Sequence, residues 1–283
     1  LRDSPLWREQ DVYVPFLAPA FRWKITDGIY YQLLDASREQ SGWDSNELLT
    51  GFGDSFESYV IGLFERAFEG SQGLADRMWS NLQEIGHGPE VDLLLDYGGS
   101  LIIFEIKSAR YHYMNSILGG DIEHIKNEDF EKLLFEPAEQ LSSAIDALVS
   151  GGLTIDGRTY DGQTIYPVLV TYDSLPTLGP VWNGLLDQLQ DRNILTQNRV
   201  CNLTPVDSGE AALLANLAHQ GRSIQKLLSE RLNEHPHQPI LNVARMEFPD
   251  EVGSNEILQE DISRLTTECG ETLGFRAAPS SVS

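Results

Sequence analysis

The hydrophobic pattern of the chain is strongest where two glycines join two runs rich in Leu and Ile. Gly98 and Gly99 separate residues 89–97 from residues 100–107. Because glycine readily adopts the positive φ angles of a tight primed turn, this pattern predicts a β-hairpin. With the two glycines at the turn, counting outward along both strands places Asp92 opposite Glu105.

The two faces of this hairpin differ in polarity, because side chains alternate between the faces of a strand. One face is expected to be wholly apolar and to face the core: Val91, Leu93, Leu95, Ile102, Phe104 and Ile106. The other face has a charged end: Asp92, Leu94, Asp96, Leu101, Ile103, Glu105 and Lys107.

The opposed carboxylates of Asp92 and Glu105 are unfavourable by themselves. Directly opposed Cβ atoms lie about 5 Å apart, and at an effective dielectric constant of 20 two such charges repel by roughly 3 kcal/mol. A fold tolerates this pair when a cation binds between the oxygens or when the two groups share a proton. With Lys107 on the same face, the pattern indicates a metal site beside a lysine; the simpler alternative is solvated charges at a strand end.

Asp92 followed by Glu105-Ile106-Lys107 at the end of a hydrophobic strand resembles the PD-(D/E)XK nuclease superfamily. The resemblance implies a restriction-endonuclease-like α/β fold, with a mixed central sheet, helices on both faces and helical C-terminal additions. It also implies that Asp92 and Glu105 bind Mg²⁺, which Mn²⁺ can replace. The Ile106 carbonyl would add a ligand, and Lys107 would orient the attacking water. The Pro-Asp dipeptide of the family is Pro89-Glu90 here, so Glu90 remains a second candidate ligand.

Two further residues match positions that this superfamily uses. An amphipathic helix is expected to begin at Asp54 or Ser55, which places Glu57 in its first turn; there it resembles a glutamate that completes the metal site. The alternative is that an acid simply favours a helix N-terminus. A second helix is expected over residues 130–149, with Pro137 starting its main part. Its Gln140 resembles a glutamine of some family branches, and the alternative is an exposed helical glutamine.

The remaining pattern divides the chain into three parts. Residues 1–50 form an N-terminal flank, residues 51–235 the nuclease domain, and residues 236–283 an acidic flank that is loosely patterned and partly disordered. Within the nuclease domain, residues 165–172 predict a buried strand parallel to the hairpin. A helix over 182–189, a strand over 200–203 and two helices within 209–233 should follow.

Composition bears on compartment and partners. The 283 residues include no run of 18 apolar residues, so no contact with a membrane is expected. Two cysteines do not form a disulfide framework, which favours a reducing, cytoplasmic location. The net charge of −23 opposes binding to nucleic acid, because phosphate contacts normally come from Lys and Arg. A partner protein or a homo-oligomer is therefore expected to supply basic surface.

The resemblance implies a metal-dependent nuclease that hydrolyses phosphodiester bonds, with DNA as the nucleic acid because most family members cut DNA. Related domains belong to restriction, repair and antiphage systems, so a DNA endonuclease in a defence or repair assembly is the expected function. The alternative is a non-catalytic scaffold or interaction module that keeps the nuclease fold within a larger complex.

Overall fold

The computed structural model describes residues 6–9, 12–15, 27–39, 45–69, 75–82, 91–111, 120–150, 155, 159–160, 162–177, 179–253 and 255–272. The chain divides into two compact units, Leu1–Ser55 and Phe56–Ser283. The described part of the first unit contains a two-stranded hairpin, β1 (Leu6–Glu9) with β2 (Val12–Pro15), and a helix, α1 (Asp27–Glu39). The unit boundary falls inside the next helix, α2 (Ser45–Glu69).

The second unit is built on a five-stranded sheet with the order β3-β4-β5-β6-β7. The strands are β3 (Arg77–Leu82), β4 (Val91–Asp96), β5 (Ser100–Lys107), β6 (Thr164–Thr171) and β7 (Thr204–Asp207). β3, β4 and β5 pair antiparallel, whereas β6 and β7 join β5 in parallel. The predicted mixed sheet is confirmed.

Helices connect and cover these strands. An irregular segment precedes α3, with a short helical turn (Ile122–His124) and two π-helical stretches (Ile125–Asp129 and Glu131–Phe135). The others are α3 (Glu136–Val149), α4 (Gly179–Asp191), α5 (Ser208–His219), α6 (Ile224–Glu234), α7 (Ile240–Glu247) and α8 (Glu256–Thr272). Pro137 lies in the first turn of α3, as expected. Within the described residues, no helix is both long and apolar enough to cross a membrane.

The hairpin has the register that the two glycines predict. Leu93 pairs with Phe104, and Asp96 pairs with Leu101, so the tight turn lies at Gly98 and Gly99. Gly98 has a φ angle of +74°, and an added Cβ there would lie 3.0 Å from the Asp76 carboxylate. The turn therefore favours glycine at this position for its backbone angle, while the nearby Asp76 side chain could shift to make room.

Helices bury both faces of the sheet, as the predicted fold class implies, so the face with the charged end belongs to the core as well. The side chains of the face predicted to be apolar pack in one hydrophobic cluster with α2, α5, α6 and α7: Leu93, Leu95, Ile102, Phe104 and Ile106. Leu94, Leu101 and Ile103 pack in a second cluster with the π-helical segment, α3 and α4. Helices thus cover both faces, and the fold is α/β with a mixed central sheet.

Val91 departs from the predicted alternation. It packs in the second cluster, with Leu94 and Ile103, instead of with Leu93 and Leu95. The physical reason is that the regular β4–β5 ladder ends at the pair Leu93–Phe104. Beyond that pair, the Asp92 side chain accepts a hydrogen bond from the Ile106 backbone N–H at 2.7 Å. The backbone of β4 therefore leaves β5 at the charged end of the hairpin.

Three other boundaries differ from the sequence expectation. Helix α2 begins at Ser45 instead of at Asp54 or Ser55, so Glu57 lies well inside the helix. The strand expected over residues 200–203 begins at Thr204, and Val200 forms only an isolated bridge to Ile165. The flank after residue 235 contains α7 and α8, which add Ile240, Val243, Ala244 and Ile257 to the first cluster. Disorder expected near residues 277–281 falls outside the described residues.

Candidate active site

The candidate site lies at the end of β5, where the hairpin strands separate. Asp92 and Glu105 are both buried, with 7% and 4% of their surface exposed. The Asp92 carboxylate is fixed by its hydrogen bond from the Ile106 N–H. Burial of two acids beside each other is costly unless a charged or hydrogen-bonding partner compensates.

Ile106 presents its carbonyl to the same side as Asp92. In a β-strand, the N–H and C=O groups of one residue point toward the same neighbouring strand. Because the Ile106 N–H points toward Asp92, its carbonyl oxygen faces the β4 side, beyond the last regular pair of the ladder. The Ile106 carbonyl therefore lies on the β4 side of the strand, and its role as a metal ligand stays a prediction.

Lys107 forms an ion pair with Glu105, with 2.6 Å between Nζ and Oε1. About a third of the lysine side chain is exposed, so the ammonium lies at the rim of the site. Burial lowers the pKa of Lys107, but attraction to Glu105, Asp92 and Glu57 outweighs that effect and leaves the pKa above its ordinary value. Lys107 is therefore charged at neutral pH.

Glu105 is the acid that the environment changes most clearly. Burial, followed by the neighbouring Asp92 charge, raises its pKa from 4.5 to about 7, although Lys107 opposes the rise. When no metal is bound, Glu105 therefore holds its proton more readily than an ordinary glutamate does. A divalent cation would relieve this repulsion by competing with the proton.

Glu57, on α2, is close enough to Glu105 and Lys107 for its charge to affect both. Its charge contributes to the raised pKa of both Glu105 and Lys107. Because Glu57 lies inside α2, preference for a helix N-terminus does not account for it. Its role as a metal ligand stays a prediction, since no three His, Cys, Asp or Glu side chains among the described residues are grouped as around a metal ion.

The residues fit a magnesium ion better than a softer metal. The side-chain donors are two carboxylates, with a backbone carbonyl on the same side, and oxygen donors suit Mg²⁺ and Mn²⁺. Mg²⁺ commonly uses one or two carboxylates and retains several waters. Two carboxylates, a carbonyl and solvent therefore make an adequate ligand set without a third acid.

Sequence reasoning missed a group of contacts that fixes the chain after Lys107. Asp173 pairs with the Arg110 guanidinium at 3.2 Å and accepts a hydrogen bond from the Tyr111 N–H at 3.1 Å. The Tyr172 N–H donates to the Lys107 carbonyl, and Arg110 lies over the Tyr172 ring at 4.3 Å. These contacts tie the end of β5 to the end of β6. Their only sequence signal is that both segments follow parallel strands, whose carboxyl ends meet at one edge.

The other predicted residues have different positions. Gln140 is exposed on α3, and the side chains around it that face the sheet are Pro137, Ala138, Leu141 and Ser142. Glu90 lies outside the described residues, so the choice between it and Asp92 as ligand stays open.

Comparison with known proteins finds similarity only among solved structures. No family model matches the chain, and no curated protein matches it. Among solved structures, the chain is similar to the small subunit of the heterodimeric restriction endonuclease R.BspD6I, with a TM-score of 0.34 and 9% sequence identity. The match covers 80% of this chain and 97% of that subunit. A TM-score of this size does not establish a shared fold.

Proposed function

We propose that this chain is a metal-dependent nuclease that hydrolyses phosphodiester bonds in DNA. The observation that carries the proposal is the buried pair Asp92 and Glu105, set across the hairpin with Lys107 bonded to Glu105. Two buried acids, a lysine on the same strand end and a carbonyl facing them form the set of groups that the PD-(D/E)XK resemblance requires.

In this proposal Asp92 and Glu105 hold Mg²⁺, and the Ile106 carbonyl adds a neutral oxygen. The bound metal supplies Lewis-acid activation of the scissile phosphate and of a water molecule. The hydrogen bond from Ile106 keeps the Asp92 carboxylate in one orientation, so less side-chain freedom is lost when the metal binds. Glu57 adds negative charge nearby and stays a candidate for a further ligand, either directly or through water.

Lys107 is proposed to orient the attacking water and to stabilise negative charge on the phosphate. Its ammonium has three N–H donors, and the ion pair with Glu105 fixes the position of Nζ at the rim of the site. The partial exposure of this side chain lets substrate approach it. A positive charge positioned where negative charge develops stabilises a transition state more than a ground state.

The choice of DNA, and of a defence or repair assembly, rests on the family resemblance. The net charge of −23 supports the further proposal that a partner protein or a second copy of the chain supplies basic surface. The same charge is also consistent with a second function, that of a non-catalytic nuclease-fold module within a larger complex.

Nicking of supercoiled plasmid separates the two functions. The chain is incubated with plasmid in Mg²⁺, in Mn²⁺ and in excess chelator, alongside the Asp92→Asn variant. The nuclease proposal predicts nicked and linear products with either metal, and none with chelator or the variant. Metal-dependent thermal stabilisation without nicking of plasmid or single-stranded DNA would favour the non-catalytic module.

A further inference from the structure

A cavity of about 370 Å³ opens at the carboxyl ends of β6 and β7. Its walls come from the loop after β6, the start of α5 and the start of α7. The loop after β6 contributes Ser174, Leu175 and Thr177, and the start of α5 contributes Gly209 and Glu210. Pockets for small ligands have volumes of roughly 300–1,000 Å³, so this cavity holds one compact group.

The cavity shares an edge of the sheet with the candidate active site. Lys107 pairs with Thr171 on β6, and Thr171 pairs with Asp207 on β7. Neighbouring strands are about 4.8 Å apart, so the Lys107 and Asp207 backbones are separated by roughly 10 Å. In open α/β sheets, ligands bind outside the carboxyl ends of the strands, which is where both sites lie.

The acids of the cavity disfavour an anionic ligand. Asp207 caps α5 by accepting from the Glu210 N–H at 2.9 Å, and it also accepts from the Ser174 hydroxyl. Glu210 accepts from the Leu241 N–H at 3.1 Å and from the Asp207 N–H at 3.3 Å. Burial raises the pKa of Glu210, and the charge of Arg231 opposes that rise. Among the described residues that line the cavity, two are acids and none is basic. A phosphate group would be repelled here.

The rest of the lining suits an uncharged group with an apolar body and hydrogen-bonding edges. Leu175, Pro205, Pro239 and Leu241 supply apolar walls, while Thr177 and Asn242 supply hydrogen-bonding groups. Enzymes that read an unstacked base hold it in this manner, between apolar side chains and with hydrogen bonds to its edge.

We propose that this cavity binds a single unpaired nucleobase of the substrate, a few nucleotides from the scissile phosphate. The inference rests on the proposed nuclease function and names its substrate class: single-stranded DNA, or duplex DNA with a locally opened base. The roughly 10 Å between the ends of β5 and β7 places that nucleotide near the scissile phosphate.

The net charge of the chain supports the same substrate class. At −23, the protein has little long-range attraction for the phosphate backbone. Contacts with base faces do not depend on phosphate charge, and they tolerate different sequences. A base in a fully paired duplex is stacked and cannot enter a cavity without being extruded, so unpaired DNA is the preferred ligand.

The test fills the cavity and measures binding with catalysis blocked by Ca²⁺. Asn242→Trp and Thr177→Trp each place a large ring in the cavity from a different wall, so one informative variant remains if the other fails to fold. Met246→Trp is the matched control, because Met246 is exposed on α7 and does not line the cavity. Ligands are a single-stranded oligonucleotide and the blunt duplex of the same sequence.

The parent is expected to bind the single strand about tenfold or more tightly than the duplex, and the filled variants should lose about tenfold or more for the single strand only. The control should bind like the parent. If the folded Trp variants bind the single strand as tightly as the parent does, the inference is overturned. The nuclease proposal still stands in that case, provided that the parent cuts DNA. A parent that neither binds nor cuts any DNA overturns both.

Discussion

At the scale of single residues, the candidate site depends on three side chains that lie together at one end of the hairpin: Asp92, Glu105 and Lys107. Two adjacent glycines fix the hairpin turn, and a side-chain period of two then fixes which residues are opposed. Counting did not reveal that Asp92 accepts a hydrogen bond from Ile106, because that contact arises where the strands separate. Nor did it predict Asp173, whose partners are brought close only by the parallel pairing of β5 with β6.

Replacement of Lys107 tests the role of the ammonium. Lys107→Ala should lower the cleavage rate by about 100-fold or more, because loss of one hydrogen-bond donor positioned at developing negative charge typically costs about 10²–10³-fold. The fold should remain intact, since the side chain is partly exposed at the rim. The matched control is Lys126→Ala, which removes an exposed lysine paired with Glu123. Equal nicking rates for Lys107→Ala and parent in saturating Mg²⁺ would refute the assigned role.

The raised pKa of Glu105 predicts how stability depends on pH without metal. Because its folded pKa is about 7 and its ordinary value is 4.5, the folded state holds this proton more tightly. The associated stability is fully present below pH 4.5 and is lost as the pH rises through 7. Glu105→Gln keeps a neutral side chain and should raise the free energy of unfolding at pH 8.5 by up to about 3 kcal/mol, with little change at pH 4.5.

Urea unfolding of parent and Glu105→Gln in chelator, at both pH values, measures this difference. The other acids titrate alike in the two proteins, so their effect on the free energy of unfolding cancels, to a first approximation, in the difference between parent and variant. If Glu105→Gln is as stable as the parent at pH 8.5, or less stable, then burial and Asp92 do not strain the Glu105 carboxylate as described.

At the scale of elements, the hairpin and the parallel strand β6 were predictable, whereas several helix boundaries were not. Residues 45–55 contain Gly51 and Gly53, which weaken helix propensity, and the start of α2 was therefore placed too late. Helix α8 is acidic and α7 has only eight residues, so packing against the first cluster decides the structure of both helices. Burial of the second hairpin face depends on the π-helical segment. The apolar residues of that segment do not follow the regular spacing of an α-helix, so the sequence pattern does not reveal it.

The link between the ends of β5 and β6 carries its own prediction. Asp173→Asn removes the charge that pairs with Arg110 but keeps an oxygen for the Tyr111 N–H. The segment after Lys107 should become less well fixed, and kcat should fall by about tenfold while KM and the metal-induced rise in Tm stay unchanged.

Asp261→Asn is the matched control for a loss of stability alone. It breaks another Arg–Asp pair, at 2.6 and 2.8 Å to Arg66, away from the edge that carries Lys107. If both variants lower Tm and neither changes kcat, Asp173 only stabilises the fold and does not position Lys107.

At the scale of the whole molecule, the net charge of −23 governs how the chain would approach the proposed DNA substrate. At physiological salt, repulsion between the acidic surface and DNA phosphates acts over a Debye length of about 8–10 Å and is largely screened beyond it. A binder that makes few phosphate contacts releases few counterions, so its affinity should fall only weakly with added salt.

Titration of single-stranded and duplex DNA in Ca²⁺ at several salt concentrations measures the slope. A shallow slope and weak binding by the isolated chain are expected. Nanomolar binding that is lost steeply with salt would demonstrate a strong basic patch on this chain, and the proposal that a partner supplies basic surface would then be dropped.

The central claim is that Asp92 and Glu105 together hold a divalent metal. Its most direct measurement is the melting temperature of parent and Asp92→Asn as Mg²⁺ or Mn²⁺ is added. A metal that binds only the folded state at 100 times its Kd stabilises it by about 2.7 kcal/mol, so the Tm of the parent should rise by several degrees. Asp92→Asn should lose most of that rise. Identical melting curves for the parent with chelator and with millimolar metal would contradict the account.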